Sequence, residues 1–521
     1  MSRPHIVIAS ESPWGHARPL CGFAAKVVLA RNIYVTLFTF PRIIERVKNE
    51  ISRWFVPQDA DRLNFIRIVA LDCVAEEAQS FGDRRRREQE RYHEAFLKEY
   101  GKLLDETPIT CFATNIEHAA ISSPSVLVLD LMVGPLAKMV RELNKKTPKI
   151  VGFCPAMATY MYVCAGPIER GGLALRSKIL KEVELSGRSI SLVADEMVSF
   201  ISDELLQITG FPKMYHWELD PQDNSFVLGD FAGAMLIAMF EGYDECDGMI
   251  ICSPEVYEPD VMAATEEWFA ETGREVWAIG PLLPPLNNQV STAGEEAQSE
   301  KAAEIKNFMD DVLEKNGRHS MLYISFGSGF WVSEFEKLEA FVDVVIELRI
   351  PFILSHGSPR AQLTDQFREK VKHSGLGLLS TWSPQQTILL HPATGWFVSH
   401  CGQNSTLEAI SSGIPMICWP LYADQPLNAI NLTLNHDVAY ELLEVRSGPN
   451  GLKPIHRHLG KVPTGTLKAV QAEAKEVLEK AFGEDGVKKR AKAEALRRKV
   501  NDEWEKGGRA YEDMQMFLST F

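Results

Sequence analysis

The feature that most narrows the fold is a strand, loop and helix pattern that opens the chain and starts again beyond its middle. Residues 5–10 read as a buried parallel strand, 11–16 as a loop and 19–29 as a helix. A second strand follows at 34–39, and strand-like runs at 64–69, 125–129 and 149–153 alternate with helical stretches, the grammar of a doubly wound α/β sheet. That grammar restarts with a strand at 321–326, a loop at 327–332 and a helix at 334–348, and goes on through strand candidates at 352–354, 395–398 and 415–419. Two such halves facing a cleft are expected, with ligands held outside the carboxyl ends of the strands.

Length agrees, because 521 residues exceed what one hydrophobic core usually serves. A first domain over 1–280, a linker over 281–300 and a second domain over 301–490 are predicted. Pro281, Pro284 and Pro285 stiffen the exit from the first domain, and 287–300 is polar enough to read as an exposed connection. Residues 446–466 read as an irregular loop, and 467–498, rich in Ala, Glu, Lys and Leu, as helix.

Charge excludes several partners. A net charge of −15 repels nucleic acid phosphates and anionic lipid surfaces. The one basic run, Arg84 to Arg87, is followed by Glu88, Glu90 and Arg91 and reads as a solvated helix face. Nine cysteines without a C-x-x-C pair fit reduced thiols in the cytoplasm. The apolar run at 6–9 is too short for a signal-peptide core. The nineteen charge-free residues 150–168 are broken by Pro155 and Pro167, so no integral membrane segment is expected. A cytoplasmic monomer that works on small molecules fits this balance.

The most informative stretch is WSPQQTILLHPATGWFVSHCGQNSTLEAISSGIPMICWPLYADQ, 44 residues from Trp382 to Gln425. Its strand at 395–398 runs through a turn ending at Gly402 into a helix from 403 to 411. Unpaired N–H groups and a positive dipole end at such a helix start bind phosphate, and His400, Asn404 and Ser405 add side-chain donors there. Asn404 and Ser405 share a helix face with Glu408, a turn deeper, whose carboxylate suits the two hydroxyls of a ribose. Trp382 offers a flat face to a base.

In these residues and in its length, the stretch closely resembles the donor-binding signature of the family 1 UDP-glycosyltransferases. The resemblance implies a GT-B fold of two Rossmann-like domains facing a cleft. It implies that Trp382 stacks on uracil, that backbone near Gln385 reads the base edge, and that Glu408 holds the ribose. His400, Asn404 and Ser405 would hold the phosphates at the Gly402 turn, and Asp424 with Gln425 the sugar hydroxyls. Gln403 stands where the plant enzymes usually carry Trp and the animal enzymes commonly Gln, while Gln425 resembles the glucose-using members. Ser325-Phe326-Gly327-Ser328 is also family-like and adds Ser328 to the donor side. Gly507 to Tyr511, with Met514 and Phe517, resembles the terminal helix that crosses back onto the first domain, placing 491–521 there.

In Gly15-His16-Ala17-Arg18-Pro19, His16 is a candidate general base, since a neutral imidazole can take a proton from a hydroxyl. Asp130, closing its strand, either fixes that imidazole or caps the helix after it. Both match the family's His–Asp dyad, His16 within G-H-x-x-P. The implied reaction is direct displacement of UDP with inversion, giving a β-glycoside of a small hydrophobic acceptor, glucose being the indicated sugar. No metal or further cofactor is expected, as no D-x-D or cysteine–histidine cluster is convincing as a metal site and His456-x-His458 lies in an irregular loop. Trp14, Met157, Tyr160 and Met161 are acceptor-side candidates. Two alternatives stand: a UDP-sugar epimerase or hydrolase of the same fold, and a non-catalytic sugar-nucleotide-binding protein.

Overall fold

A computed structural model describes residues 3–75, 80–143, 148–199, 201–223, 232–285 and 289–521. Residues 286–288 of the predicted linker lie outside the described residues.

The first sheet comprises β1 (His5–Ala9), β2 (Tyr34–Thr39), β3 (Ile66–Ala70), β4 (Val126–Asp130), β5 (Lys149–Cys154), β6 (Gly248–Ile251) and β7 (Glu275–Ala278). All pair in parallel, in the order β7-β6-β5-β4-β1-β2-β3. The second comprises β8 (Met321–Ser325), β9 (Phe352–Ser355), β10 (Gly377–Ser380), β11 (Thr394–Ser399), β12 (Met416–Cys418) and β13 (Ala439–Glu441). It too is all parallel, in the order β10-β9-β8-β11-β12-β13. Both sheets thus run third-second-first-fourth, the doubly wound order whose direction reverses beside the first strand. The reversal lies between β1 and β4 in one sheet and between β8 and β11 in the other. Helices cover both faces, which is why these strands are near-continuous apolar runs such as Ile6-Val7-Ile8 and Leu127-Val128-Leu129.

The first helix spans Trp14–Ala30 and so starts before Pro19, where the sequence suggested a helix beginning with that proline. Pro13 caps the helix instead, and Pro19 sits inside it. A proline there has no N–H for the carbonyl of Gly15, four residues back. That carbonyl accepts a bond from Asn404 Nδ2 at 3.0 Å, from the other domain. His16 therefore sits in a helical first turn, not in a loop.

The connection between the domains also differs from an exposed coil. Gln289–Glu296 is a helix with Ser291 and Glu295 buried. Glu295 accepts the N–H groups of Gln386 and Thr387 at 3.0 and 2.9 Å, so its polarity serves a buried helix cap. The chain closes with helices Leu467–Ala481, Glu484–Asp502 and Arg509–Ser519. The last packs on the first sheet, with Phe517 5.6 Å from Phe23 and 5.4 Å from Trp277, ring centre to ring centre. The stretch 446–466 docks against the first domain: Arg457 pairs with Glu218 at 3.0 Å, both fully buried. Among the described residues no helix is long and apolar enough to cross a membrane.

Candidate functional site

The two reversal points face one another across a cleft of about 540 Å³. His16 and Asp130 come from the β1 and β4 side, and Ser328 with the turn from His400 to Asn404 from the β8 and β11 side.

His16 Nδ1 lies 2.9 Å from Asp130 Oδ2 and 3.2 Å from Oδ1. Asp130 is fully buried, and its Oδ1 also accepts the Met132 N–H at 2.8 Å. The two readings of Asp130 from sequence are thus both realised: one carboxylate orients the imidazole and caps the turn that follows. Burial works against a charged His16, but the charge and hydrogen bond of Asp130, aided by Glu11 and Asp424, outweigh it and hold its pKa above the ordinary 6.5. The ring keeps 23% of its surface exposed, and with Nδ1 held by the carboxylate its Nε2 is left for chemistry.

Across the cleft, β11 ends in a tight turn in which Cys401 takes φ +65°, a left-handed conformation uncommon outside glycine. The helix Gln403–Ser412 starts directly after it, with Gly402 extended at its cap, a residue with no side chain to close the first turn. His400 is pressed between two glycines. A Cβ on Gly327 would lie 2.8 Å from its ring, and one on Gly402 would lie 2.6 Å from its Nε2. Burial drives its pKa down to about 4, so His400 is a neutral imidazole at physiological pH.

Glu408 is 1% exposed and its two oxygens are separately held, one by Gln385 Nε2 at 2.5 Å and one by Arg18 Nη2 at 2.8 Å. Gln425 Oε1 accepts the N–H groups of Leu421 and Tyr422 at 2.9 and 3.0 Å, which leaves its amide nitrogen for other partners. Burial raises Asp424 to about 7, against the pull of its own and Gln403's N–H groups and of His16. Gln403 turns to the first domain, donating to Ser253 Oγ at 3.3 Å. Trp382 is not a bare platform: the Arg46 guanidinium lies 4.1 Å from its ring centre and 3.9 Å from that of Trp14.

All ten donor-side residues singled out from the sequence line this cleft, as do His16, Trp14, Tyr160 and Met161. Met157 does not. It is fully buried in the core, because the residue before the helix Ala158–Ala165 turns its side chain inward. A second correction concerns the basic run. Arg84 and Arg87 are half exposed, but Arg85 is 11% exposed and pairs with Glu11 at the cleft wall. Sequence reasoning passed over Arg18, Arg46 and Glu50. The available signal was a cation inside an apolar helix, Arg18 standing among Ala17, Pro19, Leu20 and Cys21.

A family profile described as "UDP-glucoronosyl and UDP-glucosyl transferase" matches residues 231–446. The chain is 30% identical to UDP-glycosyltransferase eriJ of Hericium erinaceus, the alignment covering 97% of this chain and 96% of that one. It belongs to the UDP-glycosyltransferase family. The hydroquinone glucosyltransferase of Rauvolfia serpentina is 29% identical over 50% of this chain and 56% of its own. A solved structure of Phytolacca americana UGT2, complexed with UDP-2fluoro-glucose and pterostilbene, superposes with a TM-score of 0.67 at 21% identity, covering 100% of both chains. The fold of this UDP-glycosyltransferase is accordingly GT-B.

Proposed function

We propose that this UDP-glycosyltransferase moves glucose from UDP-glucose to a hydroxyl of a small hydrophobic acceptor, with inversion, to give a β-glycoside. The observation that carries the reading is the His16–Asp130 pair at 2.9 Å, set opposite the open start of the helix Gln403–Ser412. His16 Nε2 takes the proton of the acceptor hydroxyl while the oxygen attacks the anomeric carbon from the face opposite UDP. Asp130 fixes the tautomer and stabilises the imidazolium that forms. The helix start and neutral His400 receive the charge that grows on the departing diphosphate, and the reaction calls on no metal ion.

Trp382 and Gln385 take the base, Glu408 the ribose, and Ser328, Asn404 and Ser405 the diphosphate. The glucose hydroxyls fall to Asp424 and the free amide of Gln425. The opposite wall is apolar, with Leu131, Met161, Met235 and Met239 around Tyr160 and Trp14, which fits a flat, lipophilic acceptor. The hydroquinone glucosyltransferase and the Phytolacca complex, with its fluorinated UDP-glucose and pterostilbene, support a glucose donor and a phenol-like acceptor.

The test is transfer from UDP-glucose, UDP-galactose and UDP-glucuronate to a library of phenols, flavonoids, terpenoids and lipid alcohols, read by mass spectrometry. The anomeric proton coupling of the product is then measured. A β-linked glucoside, with little UDP released when acceptor is omitted, is expected. An α-linked product, or brisk UDP release without acceptor, overturns the reading.

A further inference from the structure

His16 and Arg18 stand two residues apart on the first helix, about 3 Å along its axis. The pattern G-H-x-x-P leaves position 18 free, yet Arg18 is 10% exposed and makes two charged contacts. Its Nε meets Glu50 Oε1 at 2.8 Å within its own domain, and its Nη2 meets Glu408 Oε1, also at 2.8 Å, in the other. The contacts continue in a ring. Glu50 Oε2 accepts from Arg53 Nη1 at 2.7 Å, Arg53 Nη2 donates to Gln386 Oε1, and the neighbouring Gln385 returns to Glu408 Oε2 at 2.5 Å. The charged members of this ring are all buried.

An ionised carboxylate offers about four lone-pair positions. Gln385 uses one on Glu408 Oε2, while Oε1 faces Arg18 as an ion pair and has no hydrogen-bond partner, leaving room for two ribose hydroxyls. Arg18 is also the link by which the base-bearing helix touches that carboxylate. A planar guanidinium can bridge two carboxylates in fixed geometry, which an ammonium cannot.

We propose that Arg18 is a positioning residue: it holds Glu408 for the ribose and ties the donor's place to the helix that carries His16. The inference rests on the ribose role given to Glu408 above. It makes donor affinity and the alignment of His16 depend on one side chain of the acceptor domain.

The test is a double-mutant cycle on the full chain with Arg18→Met, Glu408→Ala and the pair together, measuring kcat and KM for UDP-glucose and acceptor. Arg18→Met is expected to raise the donor KM about tenfold and to lower kcat about tenfold or more, since a misplacement near 1 Å costs on the order of 10²-fold. The acceptor KM stays within about twofold. In the Glu408→Ala background, Arg18→Met is expected to change the donor KM less than about twofold, because its partner is already gone. A wild-type-sized effect in that background overturns the positioning role and leaves the ribose role standing. An unchanged donor KM in Glu408→Ala alone removes the ribose role, and the inference with it. If Arg18→Met melts early, Arg18→Lys carries the same cycle, since it keeps a cation beside Glu50.

Discussion

The two walls of the cleft are built in different ways. On the donor wall, eight of the side chains and Gly402 lie within the 44 residues from Trp382 to Gln425, on or just before three short helices and on the turn that leads into one of them. Three are held from within the donor domain: Gln425 by Leu421 and Tyr422, His400 by its two glycines, Gln385 by Glu408. The acceptor wall is assembled from Trp14, Leu131, Tyr160, Val198 and Met239, on five separate segments, and its surface is mostly apolar. A local turn positions polar groups by backbone geometry, so few substitutions are tolerated. An apolar wall positions by shape, and shape is restored by repacking. The donor wall should therefore answer to small changes in an all-or-none way, and the acceptor wall by degrees.

His16 belongs to neither wall and tests whether the chemistry is separable from both. His16→Ala should lower kcat by about 10²–10⁴-fold, the usual worth of a general base. UDP affinity by calorimetry should stay within about twofold. Transfer at the wild-type rate ends the proposed mechanism, whereas a large loss of UDP affinity shows that the base and the donor wall are one unit.

Asp130→Asn should cost less, on the order of 10²-fold in kcat/KM, because the asparagine can still accept from Met132. It also moves the pH profile. His16 must be neutral to act, so the rate falls as pH drops through its pKa. The Asp130 charge is a principal reason that this pKa stands above 6.5, and removing it shifts the acid limb to lower pH. An unmoved limb assigns that titration to another group.

The contrast between walls also explains what could be read from the chain alone. The donor wall was legible because a strand, a turn and a helix start place consecutive residues without reference to the rest of the fold. The alternating strands gave both sheets for the same reason, although the short β6, β7, β10 and β13 carried too little pattern to be seen. Pro19 misplaced the start of the first helix, since a proline ordinarily marks a first turn, and here Asn404 satisfies the carbonyl it strands. The polar residues near 295 looked solvated because nothing nearby in sequence shows that Glu295 meets Gln386 and Thr387. Arg18 and Glu50 escaped notice, and Arg85 was taken as part of a solvated face, for a related reason: a buried charge is recognisable only by its partner, and Glu50, Glu408 and Glu11 are far away in the chain. Met157 was grouped with Tyr160 and Met161 by proximity, but the start of the helix Ala158–Ala165 turns it the other way.

On the donor wall, Gly402→Ala is the sharpest small change. Its Cβ would stand 2.6 Å from His400 Nε2, and either the imidazole or the turn must move. Overpacking of this kind costs about 1–3 kcal/mol, so UDP affinity should weaken by about five- to hundredfold with the acceptor KM unaffected. An affinity within twofold of wild type shows that the turn yields more easily than its geometry implies.

The smallest effect is expected from Met235→Trp on the acceptor wall. Met235 is half buried in the helix Ala232–Glu245 and lines the cleft. Methionine adapts to irregular neighbours at little cost, whereas tryptophan removes volume from the cleft and offers a rigid face. Bulky acceptors should lose about three- to tenfold in kcat/KM, at or below the low end of what a single methylene costs in a hydrophobic pocket, since the neighbouring methionines repack around the new ring. Small phenols should be unaffected or improved, and the donor KM should not move. Competition kinetics between a large and a small acceptor in one vessel read the ratio directly. If both acceptors fall equally, or the donor KM rises with them, the apolar wall is mechanically coupled to the diphosphate turn, and the division into a rigid donor side and a forgiving acceptor side fails.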